Sequence, residues 1–511
     1  MSAEAGPGPA SSHPSRRKGE GQTYRNFVGG AWVTSESPRS VPNSNPADTR
    51  EVLGHVPLST AEEARAAVAA ARAAFPSWRD TPAPVRGRIL FQVQALMDKE
   101  KDHLARLLTR EEGKTVKESM GEIQRTINIL EYTAGEGRRL GGSTVPSELP
   151  HNFCYTLRQP VGVVACITPW NFPVAIPVWK IAPALVSGNT VVFKPATLTP
   201  ETAAAVVSLF ERAGLPRGVL NMVLGSGGTV GHALLDHDDV RAVSFTGSNE
   251  VGAEIYARGA RRMIRVQAEM GGKNPVLVLA DADLDLAVEA TAQGAFGSTG
   301  QRCTATSRVI VEEAVADRFV EALASRAGKV KVGNGLDSSV EMGPAVDAAQ
   351  FDTDMKYIAI GGGEGRLVCG GRALKDGDRS HGHFVEPTLF DHVRPSARLA
   401  QEEVFGPVVS VIRVKGFEEA MEAANGVKFG LSSSVFTGDP AKLFRFVDHI
   451  ETGIVHVNSG TPGGEAQMPF GGMKGTGVGP REQGETALEF FTEVKSVYVD
   501  YTGQARKGSL Y

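Results

Sequence analysis

The chain has 511 residues, long enough for two or more domains and a substantial core. Its 54 Lys and Arg stand against 58 Asp and Glu, a formal net charge of -4, so no basic excess points to nucleic acid or an anionic membrane. Four cysteines, at 154, 166, 303 and 369, form no CxxC pair and no dense framework. That spacing speaks against a zinc ribbon or a disulfide scaffold and favours a reducing compartment; no metal is expected.

Residues 1–19 are small, polar and rich in Pro and Gly. They lack the apolar core of a secretory signal, and no later apolar run reaches the length of a bilayer span. They read as a disordered tail on a cytoplasmic protein. From 26 to 33 the pattern suggests a hairpin turning at Gly29-Gly30. Thr60, with Glu63 three residues on, is a capping box that starts a helix over 60–75, and Pro76, Pro82 and Pro84 punctuate the next connection. Helices over about 84–110 and 114–139 come next, with little obvious chemistry.

From residue 161 the character changes. The run 161–167 is continuously apolar and suits a strand buried on both faces. Strands over 190–194, 219–224, 240–245, 262–267 and 276–279 alternate with glycine turns and helices. Thr199-Pro200-Glu201 supplies an N-cap, an N1 proline and an acidic first turn. The repetition predicts a mostly parallel α/β sheet with ligands at the carboxyl ends of its strands. A helix over 283–296 leads into the Cys303 turn and a strand over 307–311. Strands near 408–413, 432–437 and 454–457 predict a second α/β domain. Residues 488–501 alternate weakly and read as a terminal strand whose edge suits a subunit contact.

Chemistry can sit in several of these turns, and each candidate has a plainer reading beside it. Cys303, on a glycine-punctuated turn next to Arg302, is either a nucleophile or a small buried hydrophobe. Glu269, just past a strand, is a general base or an exposed turn residue. Asn171 donates to an oxyanion or caps a turn. The runs Gly225-Ser226-Gly227-Gly228 and Gly247-Ser248 follow strands as phosphate-binding turns do, yet neither meets G-x-G-x-x-G and neither contains a P-loop.

Six motifs, taken in order, resemble those of the aldehyde dehydrogenase superfamily. They are Pro169-Trp170-Asn171-Phe172-Pro173, Phe245-Thr246-Gly247-Ser248, Glu269-Met270-Gly271-Gly272-Lys273, Gly300-Gln301-Arg302-Cys303, Glu402-Glu403-Val404-Phe405-Gly406-Pro407 and Pro469-Phe470-Gly471-Gly472 with Lys474. The resemblance runs from about residue 24 to the C-terminus. It implies a Rossmann-type cofactor domain over 20–142 and 161–269, an α/β catalytic domain over 270–483, and a small β oligomerisation arm from 143–160 and 484–511. It also implies a homodimer or homotetramer acting on a small aldehyde.

By the same resemblance Cys303 is the nucleophile, Asn171 the oxyanion donor and Glu269 the base that activates water. Thr168, Trp170, Lys194, Thr197, Gly227, Gly247, Ser248, Glu403 and Phe405 match positions that hold NAD or NADP. Thr197 stands where NAD-restricted members carry an acid, so NADP should be accepted. The segments 172–180, 301–303 and 465–470 are similar to the 2,5-dioxopentanoate (α-ketoglutarate semialdehyde) dehydrogenase branch. Arg302 then either binds the far carboxylate of such a substrate or ties down its own turn. A run one residue longer than in many relatives precedes Arg481-Glu482, and Glu482 receives no role.

Overall fold

The computed structural model describes residues 22–505, so the tail expected over 1–19 lies outside the described residues. The first sheet has eight strands. Five are parallel, and in space they run Leu220–Met222, Thr190–Lys194, Val163–Ile167, Val240–Thr246, Arg265–Glu269. In chain order this is third, second, first, fourth, fifth, the doubly wound arrangement whose order reverses between Val163–Ile167 and Val240–Thr246. The hairpin Asn26–Val28/Ala31–Val33 closes one edge, and the late strand Gly477–Val478 closes the other, antiparallel.

The apolar runs make central strands because both faces are covered. Val163, Ala165 and Ile167 pack with Ala64, Val68 and Leu234 on one side, while Val164 and Cys166 pack with Val178, Ile181 and Phe193 on the other. The second sheet has seven strands, with six parallel ones in the order Thr388–Asp391, Val408–Val414, Thr306–Glu312, Asn274–Val278, Ser432–Phe436, Ile454–Val457. A third sheet of three strands, Thr492–Asp500, Asn152–Pro160 and Thr144–Val145, stands apart from both.

Several local expectations need correction. The first helix runs Ala61–Asp80, straight through Pro76. Trp78, buried, donates its indole N–H to the Leu185 carbonyl at 3.2 Å, and that anchorage outweighs the hydrogen bond a proline removes. The capping box of Thr60 and Glu63 is present as expected. The helix expected over 84–110 divides at Glu100 into Ala83–Lys99 and Lys101–Glu112. Thr199 does not cap Pro200–Arg212 with its side chain. The buried Glu111 carboxylate does so from another helix, accepting from Glu201 N at 2.7 Å and Thr202 N at 2.8 Å. The terminal stretch begins as a helix, Thr486–Phe491, because Phe490 and Phe491 are both buried; only then does it become a strand. Among the described residues no helix is long and apolar enough to cross a membrane.

Candidate active site

The chain passes from the carboxyl end of Arg265–Glu269 in the first sheet to the amino end of Asn274–Val278 in the second within four residues. The carboxyl edge of one sheet therefore faces the amino edge of the other, and Cys303 lies there, just before the strand Thr306–Glu312. The expectation that ligand groups gather at carboxyl ends fits the first sheet only.

The thiol's turn follows the helix Leu284–Phe296. Ser298 and Thr299 both take positive φ, 49° and 58°, rare for residues with a Cβ and held here from outside. Thr299 Oγ1 donates to Gly343 O at 3.0 Å, and Gln301 Oε1 accepts from Val346 N at 2.9 Å. Asn274 Nδ2 donates to Cys303 O and Ala305 O at 2.8 Å each, and Thr461 Oγ1 donates to Thr304 O at 2.8 Å. Gly272 must be small, since a Cβ there would stand 2.8 Å from Cys303 O. Burial pushes the Cys303 thiol up to about 12, with the charges of Glu403 and Glu269 adding to it and Arg125 opposing.

Asn171 is buried and donates its amide to Gln301 O at 3.0 Å, which puts it against the thiol's turn. Its own carbonyl accepts from Lys114 Nζ at 2.6 Å. Lys114, also buried, bonds Glu122 Oε2 at 2.7 Å and lies 4.2 Å from the centre of the Phe172 ring. The other Glu122 oxygen accepts from Val174 N at 2.9 Å and Ala175 N at 3.1 Å, capping the helix Ala175–Val186. Lys114 and Glu122 thus fix the Asn171 loop from behind. Sequence reasoning passed over both. The available signal was Lys114, Glu118, Glu122 and Arg125 recurring at helical spacing on one face.

Glu269 is buried. Its Oε2 accepts from Gly472 N at 3.2 Å, and a Cβ on Gly471 would collide with its carboxylate. Burial raises its carboxyl well above the usual carboxylate range, and Glu482 adds to the rise. Glu482 is itself buried in contact with the Lys180 amine, which also donates to Ser244 Oγ at 3.0 Å. Glu482 is a third residue to which sequence reasoning assigned no role.

On the nucleotide side, Thr168 N bonds Lys194 O at 3.2 Å between the ends of two neighbouring strands, beside the reversal of strand order, and Gly247 N bonds Glu269 O at 3.1 Å. Thr168 Oγ1 and Thr246 Oγ1 are buried without a hydrogen-bond partner. Lys194 Nζ reaches only Pro195 O, at 3.0 Å, and burial pushes its amine down to about 8. Gly227 and Ser248 are exposed at helix starts, Thr197 is half-buried, and Trp170 and Phe405 meet edge to face at 5.5 Å. Glu403 Oε1 accepts from Gly272 N at 2.9 Å, and burial lifts its carboxyl to about 7. Orphaned hydroxyls and a thinly bonded lysine, set in the crevice where strand order reverses, fit a dinucleotide. Arg302 turns away from this centre: its Nε donates to Ser298 Oγ at 3.0 Å and its Nη2 pairs with Glu118 at 3.3 Å.

A crevice that fits a dinucleotide, opening onto a half-buried thiol, defines the class. The model of the aldehyde dehydrogenase family matches residues 32–497, and the chain belongs to that family. It is an NAD(P)-dependent aldehyde dehydrogenase. It is similar to the alpha-ketoglutaric semialdehyde dehydrogenase of Bacillus subtilis strain 168, 48% identical over 94% of this chain and 99% of that one. It is similar also to the 2,5-dioxopentanoate dehydrogenase of Saccharolobus solfataricus, 45% identical over 89% of this chain and 95% of that one. Among solved structures, betaine aldehyde dehydrogenase from Staphylococcus aureus in complex with NAD+ superimposes with a TM-score of 0.91 at 36% identity, covering 94% of this chain and 95% of that one.

Proposed function

We propose that this enzyme oxidises 2,5-dioxopentanoate to 2-oxoglutarate, with Cys303 as nucleophile. The observation that carries the substrate is near-full-length identity of 45–48% to relatives named for that aldehyde. The Cys303 sulfur adds to the aldehyde carbon, and the thiol proton leaves to a base. The oxygen that gains charge in this thiohemiacetal lies against the Asn171 amide and the Cys303 backbone N–H. A bound nicotinamide dinucleotide supplies the acceptor for the two electrons and hydrogen that the aldehyde carbon loses. Glu269 then takes a proton from water as that water attacks the thioester on Cys303, the carbon–sulfur bond breaks, and the acid leaves. The buried Lys180–Glu482 pair lies near enough for its charges to act on Glu269, Glu482 raising its carboxyl and Lys180 lowering it.

Thr168, Trp170, Lys194, Thr197, Gly227, Gly247, Ser248, Glu403 and Phe405 hold the dinucleotide in this reading. Thr197 brings no carboxylate against a 2′-phosphate, which supports use of NADP as well as NAD. The two large sheets correspond to a cofactor domain (20–142 and 161–269) and a catalytic domain (270–483). The third sheet is the arm of a homodimer or homotetramer: Phe153, Leu157, Val494 and Tyr498 are exposed on it. Four free thiols support a reducing, cytoplasmic setting.

The test is turnover of 2,5-dioxopentanoate, succinate semialdehyde, glyceraldehyde 3-phosphate, betaine aldehyde and pentanal with each cofactor, followed through absorbance of the reduced nicotinamide. The highest kcat/KM is expected for 2,5-dioxopentanoate. A higher value for the phosphate-bearing, cationic or neutral aldehyde would overturn the assignment.

A further inference from the structure

The aldehyde proposed above is an anion at its far end, and burying a carboxylate is costly unless donors receive it. Arg302, the cation nearest Cys303 in sequence, is already engaged by Glu118 and Ser298. A different arginine is not. Arg125 projects from the helix Val116–Glu136, its side chain largely enclosed. Among the described residues no carboxylate lies within ion-pair distance of it; Glu122, one turn away, is taken by Lys114. Its Nη2 donates to Gln483 Oε1 at 3.3 Å, a long bond, and its Nε is buried with no partner at all.

Two more orphaned donors stand beside it. Gln483 turns its Oε1 to Arg125, which leaves its amide N–H group buried and unpartnered. The Trp179 indole N–H is buried and unpartnered as well, and the Arg125 guanidinium lies 5.5 Å from the centre of that ring. Gln483 is held at a positive φ of 59°, so its placement is imposed by the surrounding chain. Native interiors rarely leave one such donor unmet, and three together, with no acceptor among them, describe the outline of a missing anion. The cluster adjoins the thiol: Trp179 and Phe470 belong to the same apolar core against which Cys303 and Phe172 pack, and the Arg125 charge pulls the Cys303 thiol down against its burial. Gly464, in the loop after Ile454–Val457, lies against the guanidinium, and the Phe470 ring packs on Trp179 at 5.2 Å.

We propose that Arg125, Gln483 and Trp179 form the subsite that receives the carboxylate remote from the aldehyde, and that Arg125 sets the preference for anionic substrates. This inference rests on the oxo-acid reading above. It assigns to the helix Val116–Glu136 and to the segment after Glu482 a recognition role, separate from the groups that touch the reacting carbon. A guanidinium with two neutral N–H donors matches a planar carboxylate and its neighbouring keto oxygen.

The test compares wild type, Arg125→Met and Gln483→Leu on 2,5-dioxopentanoate and on pentanal, a neutral aldehyde of the same chain length. Loss of a charge-assisted pair predicts that Arg125→Met lowers the ratio of anionic to neutral kcat/KM by about 30-fold or more, mainly through KM. Gln483→Leu, which keeps the charge, should lower it about fivefold. Alkylation of Cys303 by iodoacetamide is followed against pH in the same variants. Equal losses on both aldehydes, or a fall in kcat that follows the thiol's titration, would overturn the proposal and make Arg125 a support for Cys303. A wild-type enzyme with no preference for the anionic aldehyde would instead sink the oxo-acid reading itself.

Discussion

The two sides of the central cleft are built in opposite ways. On the thiol side every backbone carbonyl from Gln301 to Ala305 accepts a hydrogen bond, from Asn171, Ala305 N, Asn274 and Thr461, and Ser298 N donates to Glu118. On the nucleotide side Thr168 Oγ1 and Thr246 Oγ1 are buried and unmet, Lys194 has one backbone partner, and Gly227 and Ser248 face solvent. The first side is preorganised and does not wait for a ligand to define its shape. The second leaves hydrogen-bonding capacity unused, as the proposed dinucleotide site requires.

That contrast can be broken most severely at the thiol itself. Cys303→Ala should lower kcat by about 10⁴-fold or more while leaving dinucleotide binding, read by nicotinamide fluorescence, close to wild type. Loss of dinucleotide binding in this variant would mean that the two sides are not independent. Next in size, Glu269→Gln should cost about 10²–10⁴ in kcat. The wild-type Glu269 carboxyl is raised by burial, and it works as a base only when deprotonated. Its limb of the kcat profile should therefore climb with pH at values above the usual carboxylate range and vanish in the variant; an unchanged limb would remove Glu269 from the base role.

The middle case sharpens the thiol side. Asn274→Ala deletes both bonds that fix the carbonyls of Cys303 and Ala305, and a slightly displaced nucleophile is expected to lose about 10²-fold in kcat with KM for the cofactor unaltered. The smallest effect probes charge. Because Glu403 adds to the rise of the Cys303 thiol, Glu403→Gln should lower that pKa. More thiolate at pH 8 then makes alkylation by iodoacetamide several-fold faster, about what one nearby charge at a partly screened site supplies. A slower reaction would show that Glu403 favours the thiolate by some route other than its charge.

Much of the scaffold could be read directly. The strands Val163–Ile167 and Thr190–Lys194 were visible because both faces are covered and the apolar run is unbroken. The capping box at Thr60 and Glu63 was visible because its partners are three residues apart. What escaped depends on distant packing. The helix break at Glu100 has no glycine or proline to announce it. Glu111 caps Pro200–Arg212 across some ninety positions, |i−j| being 90 and 91 for its two bonds. The same holds in the site. The motifs carried Cys303, Glu269 and Asn171, but Lys114 reaches the Asn171 carbonyl with |i−j| of 57 and Glu482 meets Lys180 with |i−j| of 302. Arg302 drew attention by being next to the thiol in sequence. Arg125, inconspicuous on a helix read as scaffolding, is the guanidinium left unpaired.

The short strand Gly477–Val478 has a consequence for how the molecule is made. It closes the sheet beside Arg265–Glu269, and Gly472 N, with |i−j| of 203, supplies a hydrogen bond to the Glu269 carboxylate. A ribosome emits the base and the thiol long before it emits these partners. Without them the sheet would end in an unpaired strand, an edge open to other chains, and Glu269 would lose the Gly472 bond and the cover whose burial raises its carboxyl. Residues 472–478 are therefore what seals this edge and encloses the carboxylate, so that its proton affinity depends on partners some two hundred positions downstream, |i−j| being 203 for the Gly472 bond.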